Sequence, residues 1–176
     1  MAGDTQSYTM LVNACKDPAV HLAYSILLSR EDAEEAAQDA CLKAFTSLAS
    51  FKAGSRFSTW FYRILINTAL NRKKLKKYHF SEITGVTGNE LFRGISDMHT
   101  EENEDEKKRF IEVGLQSLSS KERICITLFY LDELSMDDIQ QITDLSIANI
   151  KVLLHRGRKK LYEKLHQYLP SQIINL

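Results

Sequence analysis

The chain has 176 residues, of which 44% are hydrophobic and 26% charged, and its 23 Lys and Arg balance 23 Asp and Glu. That is the profile of a soluble globular protein long enough for one ordinary domain or two small ones. It excludes a spanning helix, since no stretch approaches the roughly 18–20 consecutive apolar residues one needs, and no membrane insertion is expected.

The N-terminus lacks the basic and then apolar pattern of a secretory signal. Cys15, Cys41 and Cys125 are odd in number and far apart with no CxxC pair, which argues against a disulfide framework or a thiolate zinc site. The five histidines stand at no ligand-like spacing, so no metal is expected. These features point to a reducing cytoplasm.

Strand-like alternation is scarce while apolar spacings of three and four recur, which predicts an all-helical protein. Residues 31–49 form a strong helix with acids in its first turn, where the helix dipole favours them. Along it, Glu35, Gln38, Asp39 and Leu42 share one face, and Ala33, Ala36, Ala37, Ala40 and Ala44 make a small-residue surface for close packing. An exposed acidic and amide stripe suits a partner helix that presents arginines, or else it is simply solvated.

A second helix is predicted over 57–77. It starts with Phe57, Trp60, Phe61 and Tyr62 beside Arg56 and Arg63, carries Asn67 and Asn71 on one face, and ends in a run where five of the six positions Arg72–Lys77 are basic. Aromatics next to cations can accept unstacked bases, although a cluster this dense must place some rings in the core. The basic run suits phosphates or, more plainly, a solvated helix end at the C-terminal dipole.

Residues 80–106 lose all period, collect three glycines and end in acids, so they are expected to form a flexible linker. The expected division is thus 1–79, a linker at 80–109, and a second helical domain at 110–176.

In the second half, Ser119–Glu122 and Ser135–Asp138 match the capping box that opens a helix, and Ser146 is a further N-cap candidate. The helix after Ser135 buries Met136, Ile139 and Ile142. A three-residue turn leads to the next, a connection that helix-turn-helix units use and that a plain three-helix bundle can share. Projected at about 100° per residue, the last helix buries Ile147, Ile150, Leu154, Gly157 and Leu161. Asn149, Val152, Arg156 and Lys159 fall on the opposite, outward face with Ala148 and His155 beside them, and Gly157 is where a neighbouring helix can approach closely.

Zero net charge is a sum over segregated surfaces. Phe51–Phe80 holds eight Lys or Arg and no acid, Glu101–Glu106 is acidic at five of six positions, and Lys151–Lys164 holds six Lys or Arg and one Glu. Two separated basic helices, one in a helix-turn-helix pattern, point to nucleic acid.

DAEEAAQDACLKAF followed by SRFSTWFYRILINTALN resembles region 2 of the extracytoplasmic-function (group IV) sigma factors of bacterial RNA polymerase. LQSLSSKERICITLFYLDELSMDDIQQITDLSIANIKVLLHRGRKKL resembles their region 4, and the two matches span roughly residues 20–78 and 113–165. The resemblance implies two helical domains on a flexible linker, in a specificity subunit without a catalytic site or cofactor. Such a subunit binds core RNA polymerase and promoter DNA under the control of an anti-sigma factor.

Carried over residue by residue, it implies that Glu35, Gln38, Asp39 and Leu42 bind polymerase. Arg56, Phe57, Trp60, Arg63, Asn67, Asn71, Arg72, Lys73, Lys74, Lys76 and Lys77 would serve the −10 element, with the asparagines reading bases, the basic run holding phosphates and the loop Lys52–Ser58 pocketing a flipped base. Asn149, Lys151, Val152, His155, Arg156 and Lys159 would serve the −35 element. The family's usual first helix pair is longer than the segment before residue 20. Many members also carry small polar residues or arginine where this chain has Val152 and Leu153; Val152 could meet a thymine methyl or lie under an inhibitor.

Two readings from other classes compete. A regulator that binds DNA unaided accounts for 115–165 but not for the acidic stripe or the Asn67 helix. A nuclease or phosphotransferase would need a phosphate loop, an HExxH motif or a nucleophile with its base, and none is visible.

Overall fold

The computed structural model describes residues 5–51, 54–84 and 113–166, with side chains placed for 16–51, 54–76 and 113–166. All regular structure among these residues is helical, as the apolar spacing predicts.

Helix α1 spans Thr5–Leu27 and stops at Leu28, whose φ of 57° turns the chain. The Ser29 hydroxyl accepts a hydrogen bond from the Asp32 N–H and opens α2, Arg30–Thr46. Its alanine face, Ala33, Ala36, Ala37, Ala40 and Ala44, is buried, because side chains this small let α1 and α3 close on α2. Helix α3 spans Phe57–Thr84 and adds Phe61 and Leu65 to a core that holds Leu22 and Ile26 from α1. These three helices form the N-terminal bundle.

Sequence reading ends α3 at Lys77 and starts the linker at residue 80, but the helix runs on to Thr84. No glycine or proline intervenes before Gly85, so nothing in the backbone stops it sooner. The rest of the expected linker lies outside the described residues.

After a short helical stretch at 113–116, α4 spans Ser120–Ile126 under a complete capping box between Ser119 and Glu122. It continues into a π turn at Thr127–Leu131. Helix α5, Met136–Thr143, is capped by Ser135. Asp144, at φ 57°, makes the turn into α6, Ile147–His166, where the Ser146 hydroxyl accepts from the Asn149 N–H at 3.3 Å. Ile139 and Ile142 of α5 and Ile150 and Leu154 of α6 are buried as the projection predicts, and so is Gly157.

Inside this second bundle the Glu122 carboxylate, 4% exposed, accepts from Lys160 Nζ at 2.9 and 3.0 Å. Burial pushes the Glu122 carboxyl up, but the bonds from Lys160 and Ser119 hold it below its ordinary value. Arg123, also buried, caps the preceding turn by donating to the Leu115 and Leu118 carbonyls at 2.8 Å each. The two bundles dock on one another, with α5 against α3 and α4 against α1.

Candidate nucleic-acid interface

The aromatic cluster of α3 divides as its density requires. Phe61 and Tyr62 are core, while Phe57 and Trp60 are half-buried at the edge. Phe51, which sequence reading missed, joins that edge at ring distances of 6.0 Å from Phe57 and 5.2 Å from Trp60. The loop expected to pocket a base is described only at Gly54–Ser58, since Lys52 and Ala53 lie outside the described residues. Arg56, just before α3, and Arg63, Asn67 and Asn71 along it are exposed.

Trp60 and Arg63, with Ser55 and Thr59, line one wall of a cleft of about 430 Å³ whose other wall is Gln140, Gln141 and Asp144 of the second bundle. Arg63 Nη2 meets Asp144 Oδ2 there at 2.7 Å. Those three partners carried no signal in the sequence, because each is an ordinary polar residue at a helix end.

The basic run does not present one surface. Arg72 turns toward α2, bonding Glu35 closely and reaching Asp32 at 3.4 Å and Asp39 at 3.6 Å. Lys76 also pairs with Asp32, whose side chain is only 10% exposed. Burial alone would raise the Asp32 carboxyl, but bonds from Lys76, Ser29 and Arg72 hold it below the usual value.

Lys73 is half-buried and donates to the Ile26 carbonyl and the Ser120 hydroxyl at 2.9 Å each. Burial, helped by the charge of Arg123, pushes its ammonium down to about 8. Lys74 is exposed, and the side chain of Lys77 lies outside those described. Of the five cations expected on phosphate, three are therefore engaged within the protein.

The expected polymerase face is continuous. Glu35, Gln38, Asp39 and Leu42 are all exposed on α2, with Leu42 at 65%. Phe45 extends it at 47% exposure and could have been read from its i+3 position after Leu42. Arg72 ties two acids of this face to the helix that carries the asparagines.

On α6, Asn149, Lys151, Val152, His155, Arg156 and Lys159 are all exposed, and Lys159 lies 3.9 Å from Glu163. Leu153 is buried at 8% and belongs to the core, whereas Val152 stands 44% exposed in the middle of the outward face. No described helix is long and apolar enough to cross a membrane.

Residues 11–77 match the family model for Sigma-70 region 2, and residues 111–161 match that for Sigma-70, region 4. The chain is 32% identical over 170 residues to the ECF RNA polymerase sigma factor SigW of Bacillus subtilis, covering 93% of this chain and 91% of that one. It is 27% identical to the ECF RNA polymerase sigma-E factor of Escherichia coli K12, covering 92% and 88%. The fold is similar to that of the sigma factor RpoE in complex with the anti-sigma factor NepR from Bartonella quintana, with a TM-score of 0.69, 24% identity and coverage of 92% and 96%. It is also similar to that of CnrH in complex with the cytosolic domain of CnrY, with a TM-score of 0.68, 19% identity and coverage of 94% and 92%.

Proposed function

The chain belongs to the extracytoplasmic-function sigma factors of the Sigma-70 family, and from that premise we propose how its surfaces divide promoter recognition. It is a sigma factor that confers promoter specificity on RNA polymerase and is subject to anti-sigma control. In this reading the protein works in the cytoplasm beside its polymerase and has no catalytic site of its own.

The exposed stripe Glu35, Gln38, Asp39 and Leu42 binds core polymerase. Trp60, Asn67 and Asn71 accept and read the −10 strand, with Phe57, Arg56 and Arg63 at its border and the exposed Lys74 on phosphate. The outward face of α6, Asn149 to Lys159, enters the −35 major groove, where Val152 meets a thymine methyl.

The observation that carries this reading is the segregation of faces. An acid and amide stripe on α2, an aromatic edge with two exposed amides on α3, and a face of five polar residues around Val152 on α6 each lie on a separate helix. Base stacking contributes about 1–3 kcal/mol per base, so an aromatic edge beside amides suits an opened strand, whereas a helix with exposed polar groups suits a duplex groove.

Holoenzyme binding to duplex −35 and single-stranded −10 probes tests the division. Asn67→Ala with Asn71→Ala should weaken −10 capture without altering its salt dependence. Arg156→Ala with Lys159→Ala should weaken −35 binding and leave −10 capture untouched. Equal losses on both probes for both variants would sink the assignment.

A further inference from the structure

We propose that the cleft between the two bundles is a binding site for a free adenine nucleotide, its base stacked on Trp60 and its phosphate held at Arg63. The inference rests on the surface reading above, in which Trp60 accepts a base, and adds to it a second wall and a small-molecule ligand.

The cleft of about 430 Å³ has the size of an ordinary small-ligand site, which joins apolar surface to a few convergent polar groups. Trp60 and Arg63 stand one turn apart on α3, and Gln140, Gln141 and Asp144 face them from the end of α5 and its turn. Phe51 and Phe57 pack on the indole at ring distances of 5.2 and 5.7 Å, so the stacking platform is in place before anything binds. Gln140 and Gln141 are exposed and serve none of the surfaces assigned above.

Each wall selects one part of a ligand. The indole takes a flat ring. A glutamine carboxamide donates and accepts at once, which matches the N6 and N7 edge of adenine. Both glutamines also stand in the last turn of α5, where unpaired carbonyls carry partial negative charge and favour an amino group over a phosphate.

The phosphate belongs on the other wall. Residues 51–80 hold eight Lys or Arg and no acid. Arg63 gives Nη2 to Asp144 at 2.7 Å, and its guanidinium has further N–H groups to offer. Asp144 is the one acid of the lining, and this pairing offsets its charge. A neutral sugar would leave the basic wall unused, and an inorganic anion would leave the indole and the carboxamides unused.

Such a ligand touches both bundles at once. It stabilises their contact by mass action as it fills the site, and it covers the Trp60 face that the −10 strand would otherwise reach. The chain is then a receptor for an adenine nucleotide as well as for DNA.

Trp60 is the only tryptophan in the chain, so its fluorescence in the full, polymerase-free chain reports the site directly. Titration with adenosine monophosphate should give saturable quenching and a matching calorimetric heat. Uridine monophosphate, which lacks the amino edge, should bind about 10-fold more weakly. Adenosine should bind more weakly for want of the phosphate, and ribose 5-phosphate should leave the fluorescence unchanged.

Gln140→Ala with Gln141→Ala should lower the affinity for adenosine monophosphate about 10-fold. The circular dichroism should not change, nor should the holoenzyme's capture of a single-stranded −10 oligonucleotide from upstream of a mapped start site. Should that pair fail to fold, Gln141→Ala alone should shift the affinity in the same direction.

Absence of saturable quenching, equal affinity for ribose 5-phosphate, or unchanged affinity in the glutamine variants would overturn the site. The surface reading fails by a different result, normal −10 capture by a holoenzyme carrying Trp60→Leu, which leaves the nucleotide titration to judge the cleft.

Discussion

Gly157 of α6 faces Ile126 of α4 so closely that a Cβ at that position would lie 2.9 Å from Ile126 Cγ1 and 3.2 Å from its Cδ1. The glycine is therefore what lets α6 sit against α4.

Gly157→Ala gains about 1 kcal/mol of helix propensity but forces Ile126 to move, at an overpacking cost of about 1–3 kcal/mol. Net destabilisation of up to about 2 kcal/mol is expected in chemical denaturation. Duplex −35 binding should fall while single-stranded −10 capture by the holoenzyme persists. An unchanged midpoint would mean that Ile126 yields freely.

The basic run should separate into three behaviours. Lys74→Ala should flatten the salt dependence of promoter binding, by up to about 0.7–0.9 logarithmic units for each phosphate it no longer neutralises. Arg72→Gln should instead weaken the affinity for core polymerase, because Arg72 orients Glu35 and Asp39. Lys73→Met, at a half-buried position, should change neither slope nor polymerase affinity by much. Titrations of holoenzyme against salt, and of the sigma chain against core, resolve the three. Identical slopes for Arg72→Gln and Lys74→Ala would contradict the split.

Asp32 should contribute part of the N-terminal bundle's sensitivity to acid. Its carboxyl is held below the ordinary value in the folded chain, so its stabilisation is fully present above about pH 4 and is lost as pH falls through the lowered value. Asp32→Asn should cost about 1–3 kcal/mol at pH 7, since Lys76 and Arg72 lose a charged acceptor. It should also remove this part of the acid transition. Denaturation midpoints between pH 2 and pH 7 measure both effects, and parallel pH curves for the two chains would exclude Asp32 as the cause.

Asp132 behaves with the opposite sign. Burial pushes its carboxyl up to about 6, although the charge of His21 pulls the other way. The folded chain binds this proton more tightly than the unfolded chain. Its contribution is therefore most favourable below pH 4, is lost as pH rises toward 6, and stays lost above. Asp132→Asn should flatten stability over pH 4–6 and add up to about 2 kcal/mol at pH 7. Unchanged stability at pH 7 would show that the carboxylate is already well solvated.

Much of this protein was legible because it is local. The capping box at Ser119, the N-cap at Ser135, the alanine face of α2, the buried side of α6 and the close approach at Gly157 follow from spacings of three and four within single helices, which backbone geometry fixes. The exposure of Glu35, Gln38, Asp39 and Leu42, and of Asn149, Val152, His155, Arg156 and Lys159, followed from the same periodicity. The continuation of α3 to Thr84 was hidden because a basic run favours a helix end without enforcing one.

Charge partners were not legible, because they depend on how helices far apart in sequence come to lie. Arg72 and Lys76 meet Asp32 across 40 and 44 residues, Lys73 meets Ser120 across 47, and Arg63 meets Asp144 across 81. A run of cations states only that charge is present; the packing of α3 against α1, α2 and the second bundle decides which of those charges are neutralised inside the protein and which stay exposed to meet a phosphate.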